Sequence, residues 1–578
     1  MKLFNKNFAI TGTLNLACLW IALLFFSSIT PAIAQPVSAG SILQQINSES
    51  PVIVLPPVMP EATGGYKESP ESAVAGGQKF IVKRFEFTGN VKISTEKLQV
   101  VVAEFVNRSY TFSELKNITD VIAGYYRDEG WLARVILPPQ DITNGTVTIQ
   151  IIEANLGNIV IENKTTRITN HRIEAWIYSR IPRGTALSLS ELDRAILTLS
   201  DLPDVNVVSS IQEGKVQGET NVRVVVTNKN MVDGSIGVDN FGQDSTGQNR
   251  GTANLNINGA LGFGEQISLS GLYTEGTNYG RVSVVAPVGS SGLKMGINAS
   301  SLSYRVNNSS LNQLWANGSS NTAGAELSYP IIRSRPTNLY FITNYNYSTF
   351  DNRNSFGIQN QYNTSVLVSG LTGNTIDSFS GGGISQASLL LSGGNVGPSS
   401  IVSLVPNNNN LGPQVNGSFT KLRYGVNRLQ SVTSSLSAYL GISGQVASKN
   451  MDPSEQLYVG GPYSVRAYAT GQGSASQGNV TTFELRQSLP WQTTFTGFYD
   501  YGNVETYKNN VFGSGALNNN YVLQGLGTSL SWVGPRGLQL KATWAMRTGS
   551  TPPLVYQNLS GNGGNSSNRF WLSALLPL

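Results

Sequence analysis

The sequence predicts a membrane all-β fold: a sixteen-stranded antiparallel transmembrane β-barrel preceded by two small α+β domains. Three observations predict it. Beyond Asn230 helical periodicity gives way to stretches of alternating apolar and polar residues, sixteen of them between Gly234 and Leu578. The connections between these stretches alternate between short and long, as the two ends of an outer-membrane barrel require. Between residues 79 and 229 one pattern, β-α-α-β-β, runs through twice.

Composition agrees. At 578 residues the chain is too long for one core. Only 13% of residues are Asp, Glu, Lys or Arg, against a usual ~25%. Gly is abundant at 61, and the mean hydropathy of −0.10 is near neutral. Low charge without high hydrophobicity suits strands that alternate polar lumen residues with apolar lipid-facing ones. That regular alternation also argues against low-complexity disorder. The net charge of +5 is small for the length and supplies no concentrated basic face, so no nucleic-acid partner is expected.

Residues 1–34 read as a signal peptide. Lys2 and Lys6 form the basic start, Leu14 to Phe26 the apolar run, and Ala32-Ile33-Ala34 a small-x-small cleavage site before Gln35. Cys18 lies inside the apolar run, which continues past it, so lipidation is not expected and the mature chain has no cysteine. Residues 35–78 are rich in Pro, Gly, Ala and Ser. Ser41 to Ile46 could form a short helix stopped by Pro51, and Pro56-Pro57 and Gly64-Gly65 mark a flexible linker. After residue 34 no run of ~18 apolar residues occurs, so any membrane crossing must use strands.

The first small domain, 79–154, opens with a strand from Phe80 to Phe87 closed by Gly89-Asn90. A helix follows Ser94. A second begins at Thr111-x-x-Glu114, a capping box, and ends at Gly130. Strands Trp131–Leu137 and Val147–Glu153 follow, with Asn144-Gly145 between them. The second domain, 155–229, repeats the order. It has strand Leu156–Glu162, helix Asn170–Ser179, a helix opened by Ser188-x-x-Glu191, and hairpin Val205–Glu213 with Thr220–Thr227.

The barrel occupies 230–578. Each strand with its connection takes about 22 residues, which fits ~10-residue spans. Short turns near Gly262, 287–292, Pro490 and 534–537 alternate with long polar loops near 306–321, 350–361, 393–415, 449–480, 504–520 and 549–567. In the last segment Phe570, Leu572, Ala574, Leu576 and Leu578 share one face, as in a barrel closed by its C-terminal strand.

Two motifs in the barrel carry a family resemblance. Gly460-Gly461-Pro462-Tyr463-Ser464-Val465-Arg466-Ala467-Tyr468 resembles a G-G-x-x-x-V-R-G-Y motif, and Gly497-Phe498-Tyr499-Asp500-Tyr501-Gly502 resembles an F-x-D motif. Together with the signal, linker, paired β-α-α-β-β units and barrel, they resemble the TpsB transporters of two-partner secretion. The resemblance covers essentially the whole mature chain. It makes the two small units POTRA domains. It puts Val465, Arg466, Ala467 and Tyr468 on an outer loop folded into the pore, with Phe498, Asp500 and Gly502 on the barrel wall. It also implies an Arg466–Asp500 pair. Strand parity agrees, since Phe498 and Asp500 share a face opposite Tyr499 and Tyr501, and a charge belongs in the lumen rather than in lipid. Ala467 departs from the motif's Gly; a Gly there with φ > 0 would disfavour alanine. Softer matches are Gly234–Gly242 to the family's first barrel strand and Tyr126–Val135 to a POTRA helix-to-strand passage. The Ser41–Ile46 stretch is similar to the N-terminal helix that plugs the pore in some members.

Catalysis is not expected. The chain has one histidine, His171, at a helix start. With no mature cysteine, His-based nucleophile pairs and zinc sites cannot be assembled. No P-loop or dinucleotide fingerprint occurs, so no cofactor is expected.

The resemblance implies an outer-membrane translocator whose periplasmic domains bind a large unfolded exoprotein through its N-terminal secretion domain. Strand addition to a sheet edge is the expected binding mode. The Phe80–Phe87 strand, with Phe80, Val82, Phe85 and Phe87, and the hairpin Val205–Thr227 are the candidate edges. A monomer in the outer-membrane bilayer is expected. The rivals are an insertase for other barrels, whose relatives commonly carry more POTRA units, and a passive porin, which needs no such units.

Overall fold

A computed structural model describes residues 37–49, 79–142, 144–307, 316–354, 357–398, 413–509, 519–549 and 566–578. The expected signal segment and nearly all of the expected linker lie outside the described residues. No helix among the described residues is long and apolar enough to cross a membrane.

Sixteen antiparallel strands close into a barrel, from Val232–Asp239 to Asn568–Pro577. Alternation places the side chains as polarity demands. Ser268 bonds Asn256 on the lumen side, while Leu269 and Ile297 on the opposite parity face outward, where lipid replaces water. In the last strand Phe570 and Leu572 are exposed and Trp571 is buried. The sixth to eighth strands, Asn317–Arg333, Thr337–Asn354 and Gly357–Asp377, are 17, 18 and 21 residues long. They correct the loop expected at 350–361, whose described residues are all strand, and shorten the one expected at 306–321, where strand begins at Asn317. A bilayer needs only ~9–11 residues per strand. The remainder continues the ladder past the membrane, where Asn, Ser and Tyr replace the apolar signal.

Ahead of the barrel stand two α+β units. In the first, strands Arg84–Thr88, Thr146–Glu153 and Ala133–Ile136 form a sheet in that spatial order, with helices Thr95–Val102 and Phe112–Asp128. Phe85, Leu98, Ile122, Tyr126 and Ile149 fill the core, each side chain contributing about 1.5–3 kcal/mol by leaving water. The second unit repeats the plan. Strands Asn155–Asn163, Glu219–Asn228 and Val205–Glu213 pack helices Asn170–Tyr178 and Leu189–Ser200 around Trp176, Ile177 and Leu199.

The expected strand Phe80–Phe87 is two strands. Phe80–Val82 pairs antiparallel with Arg108–Tyr110, and Arg84–Thr88 pairs parallel with Thr146–Glu153. Lys83 N and Arg84 N both donate to Gly145 O, at 2.7 and 3.2 Å, where the chain changes partner. In one continuous strand Phe80 and Val82 would face away from Phe85 and Phe87. The break shifts the phase by one residue, so Val82 and Phe85 are buried and Phe80 and Phe87 pack beside them.

Thr111 caps the longer helix of this unit. Its hydroxyl accepts from Glu114 N at 3.3 Å, and the Glu114 carboxylate accepts from Thr111 N at 2.6 Å. Thr111→Ala is expected to cost about 1 kcal/mol and to speed amide exchange over the first turn of that helix, leaving the second unit unchanged.

The second unit docks beneath the first three periplasmic turns through arginines. Arg333 holds Asp201 with two 2.8 Å bonds, Arg335 pairs with Asp193 at 3.1 Å, and Arg194 donates to Pro330 O at 2.8 Å. Asp204 packs against Gly259, where a Cβ would meet its carboxylate at 2.5 Å. Burial lifts the Asp204 carboxyl above the ordinary range, opposed by Arg167.

Candidate functional site

Two segments occupy the lumen. The first is helix Ala39–Glu49. Ser38 caps it, with Ser41 N donating to Ser38 Oγ at 3.2 Å. Ala39 N donates to Asn352 Oδ1 of the seventh strand at 2.9 Å. Ile42 and Leu43 pack on Leu302, Tyr304 and Phe350 of the wall. At the far end the Glu49 carboxylate takes two bonds from Arg250 Nη1, at 3.0 and 2.8 Å, and Arg250 Nε donates to Asp239 at 2.7 Å. The helix outruns the expected Ser41–Ile46 by several residues. A cavity of about 1680 Å3 opens below it, lined by Gln44 and Glu49 above and by Asp201 and Lys229 of the second unit below.

The second segment is the chain between the eleventh strand, Leu436–Ala447, and the twelfth, Gln477–Leu489. Its base is tied to the wall. Lys421 Nζ donates to Glu455 O at 2.9 Å, Arg423 Nη2 to Gln456 O at 3.3 Å, and Gln445 Nε2 to Glu455 O at 3.0 Å. The helix meets the same base, where the Gln44 amide donates to Ser454 O at 2.9 Å and accepts from Arg423 Nη1 at 3.1 Å.

Arg466 lies at the tip and Asp500 on the thirteenth strand, Thr493–Glu505, and the two are in direct contact. Arg466 Nε donates to Asp500 Oδ2 and Nη2 to Oδ1, both at 2.8 Å, and the Arg466 backbone N–H reaches Oδ2 at 3.1 Å. This is a bidentate fork with a backbone donor added. The guanidinium carbon lies 3.4 Å from the Phe498 ring centroid, which adds a cation–π contact. Asp500 is fully buried and also accepts from Thr482 Oγ1 at 3.1 Å.

Sequence reasoning missed Glu484. It takes the remaining face of Arg466, Nη1 to Oε1 at 2.7 Å, and pairs with Arg486 at 2.7 Å. The signal was available in register. Glu484 stands directly across from Phe498 and Thr482 from Asp500, so all four face the lumen. Two arginines and two carboxylates thus form a neutral network, buried except at the half-exposed Arg486, which removes much of the cost of burying any one charge.

The loop's neighbours explain the remaining motif positions. Val465 packs on Val459 and beside Gly502, where a Cβ would meet Val459 at 2.6 Å and Val465 at 2.9 Å. Ala467 is buried and has no positive φ, so the expected conflict with alanine does not arise. The left-handed backbone falls instead on Gly460 and Gly461, at φ 110° and 103°. The Ala467 methyl sits where Gly525 leaves space, since a Cβ there would collide with it. Tyr468 is buried, its hydroxyl accepting from Gln524 N at 3.2 Å. Phe80, Val82, Phe85 and Phe87 lie in or against the core of the first unit, away from the lumen.

Comparison with known proteins agrees with this geometry. The family model described as haemolysin secretion/activation protein ShlB/FhaC/HecB matches residues 218–529. A POTRA domain model of ShlB type matches 80–154. The chain is 26% identical over 512 residues to the heme/hemopexin transporter protein HuxB of Haemophilus influenzae, covering 86% of this chain and 87% of that one. In fold it is similar to CdiB from Escherichia coli, with a TM-score of 0.69 at 18% identity over 94% of this chain and 100% of that one. It is also similar to CdiB from Acinetobacter baumannii, with a TM-score of 0.61 at 16% identity over the full length of both. With more than half its length matched by one family model and a barrel holding an inward loop behind POTRA-type units, the chain belongs to the ShlB/FhaC/HecB family of haemolysin secretion/activation proteins, the outer-membrane TpsB transporters of two-partner secretion.

Proposed function

We propose that this chain works as a monomer, exporting one large exoprotein through its barrel and holding the pore closed at rest with two inserted segments. The observation that carries this is the seating of the Arg466 loop. A bidentate, buried ion network holds that loop inside the lumen, and the docked helix Ala39–Glu49 fills the space beside it, so two segments stand in the pore. On this reading helix Ala39–Glu49 is the plug, and both segments move aside when cargo enters.

The cargo docks in the periplasm by adding a strand to a sheet edge. Arg84–Thr88 and Val205–Glu213 are edge strands of their sheets. Because Val82 and Phe85 are turned into the core, the first of these edges offers backbone N–H and C=O groups rather than aromatic side chains. Affinity then comes from main-chain pairing, and specificity from the exposed residues flanking it. Folding of the cargo outside the cell draws the chain through. The family is one of secretion channels, and we assign the chain no catalytic step.

Depleting the protein tests the reading against an insertase role. Loss of one surface exoprotein with the other outer-membrane proteins at normal abundance is the expected result. A broad fall in outer-membrane barrels would overturn it.

A further inference from the structure

The barrel closes weakly where its two ends meet. The first and last strands pair over five residues, Asp239–Ser235 with Ser573–Pro577. Every other neighbouring pair in the barrel runs for eight or more. The ladder stops because the first strand bends away. Asp239 Oδ1 accepts from Phe241 N at 2.8 Å, an Asx turn that competes with strand pairing. Asn240 extends the seam by one step: its backbone N–H donates to Leu572 O at 3.2 Å, and its side chain accepts from Leu572 N at 2.8 Å and donates to Phe570 O at 2.9 Å.

Above that point the inward loop joins the two strands. Trp571 of the last strand donates its indole N–H to Arg466 O at 2.8 Å. Thr470 Oγ1 donates to Phe241 O, just past the first strand, at 2.8 Å. The Phe241 ring meets Trp571 edge-on at 5.9 Å and Tyr463 of the loop at 5.6 Å. Phe241 and Trp571 are both buried. The loop tip therefore touches each side of the seam, where backbone pairing has ended.

We propose that the loop is a stitch across the closing seam, and that Trp571 is the positioning residue through which it holds. With Arg466 locked on Asp500 and Glu484, its carbonyl is fixed under the Trp571 indole, and the outer part of the last strand stays on the first without a ladder. When the loop withdraws, Trp571 loses its acceptor and Phe241 O loses Thr470, so the outer seam rests on the Asn240 bonds without the loop's two. The pore gate and the stiffness of the barrel wall are then one switch, and the seam becomes the place where the wall yields. The idea takes from the export reading only that the loop moves.

Amide exchange on the full chain in lipid nanodiscs tests it without any cargo, so failure leaves the export reading untouched. Trp571→Phe keeps an aromatic ring and removes the N–H; Thr470→Val removes the other bond. Each is expected to speed exchange at 239–241 and 569–572 about fivefold, as one neutral hydrogen bond lost from a local opening should. The far wall, 337–377, should not change. Arg466→Ala leaves the Arg466 carbonyl in the chain and removes only what locks it, so a purely local role for Trp571 predicts no seam effect. The stitch predicts the same acceleration. Seam exchange at the parent rate in Arg466→Ala and Thr470→Val would overturn the proposal, even if Trp571→Phe failed to fold.

Discussion

Arg466→Ala and Asp500→Ala are each expected to cut export of the partner by more than tenfold while leaving the barrel inserted. The reason lies in where the charges are. Arg466 spends its donors on Asp500 and Glu484, and the Asp500 side chain is fully buried. Removing the arginine side chain leaves Asp500 with Thr482 and the backbone N–H at position 466, and Glu484 with Arg486. Removing one partner of a buried pair costs about 3–5 kcal/mol, because the other charge stays buried without compensation. That penalty falls on the seated loop and not on the strands, whose ladders do not involve Arg466. Heat-modifiable migration in detergent gels should therefore be retained. Arg466→Lys should rescue poorly, since an ammonium cannot supply the planar fork. The double variant should export no worse than either single one, because the second substitution removes the orphaned charge. Parent-level surface display of the partner by both single variants would show that the pair does not hold the gate.

The barrel was legible because lipid on one side and water on the other impose a period of two through sixteen successive strands. The orientation of Asp500 followed from the same parity. Other features depend on which strand meets which, and local pattern does not encode that. Glu484 joins Arg466 only through the register of the twelfth strand on the thirteenth. The break at Lys83 depends on Gly145, some sixty residues away, offering its carbonyl to two successive N–H groups. Residues 350–361 read as a loop because Asp, Asn, Arg and Gln interrupt the alternation there, although backbone pairing needs no apolar side chain. Ala467 looked like a conformational problem, yet it is one of packing, solved by Gly525 on the fourteenth strand, Asn520–Val533. What the sequence under-reports here is partner choice across long separations. The seat of the inward loop is built from such choices.

Glu49→Gln is expected to open the pore. Helix Ala39–Glu49 has 11 residues, fewer than the ~12–15 at which even good helix formers hold together alone in water. It is therefore a helix only while docked, and its docking contacts set how often the pore is blocked. Ile42 and Leu43 hold one side and the Asn352 bond the N-terminus, but Glu49 is the only charged residue of the helix. An acid at a helix C-terminus opposes the helix dipole, so neutralising it relieves up to about 1 kcal/mol. Against that stands the loss of the carboxylate charge and of one of its two bonds to Arg250, which has only 6% of its side chain exposed. With Arg250 still held by Asp239, this costs about 3 kcal/mol, the upper end for a hydrogen bond between charged groups. The loss outweighs the relief, leaving a net effect of about 2 kcal/mol, or some thirtyfold in the docking equilibrium. Purified protein in planar bilayers should spend correspondingly more time in a high-conductance state, and deleting residues 39–49 should make that state permanent. Glu49→Asp, too short to reach Arg250 in the same seat, should behave like the Gln variant rather than the parent. If conductance is unchanged in Glu49→Gln but rises on deletion, the apolar contacts alone hold the plug and the ion pair is incidental to gating.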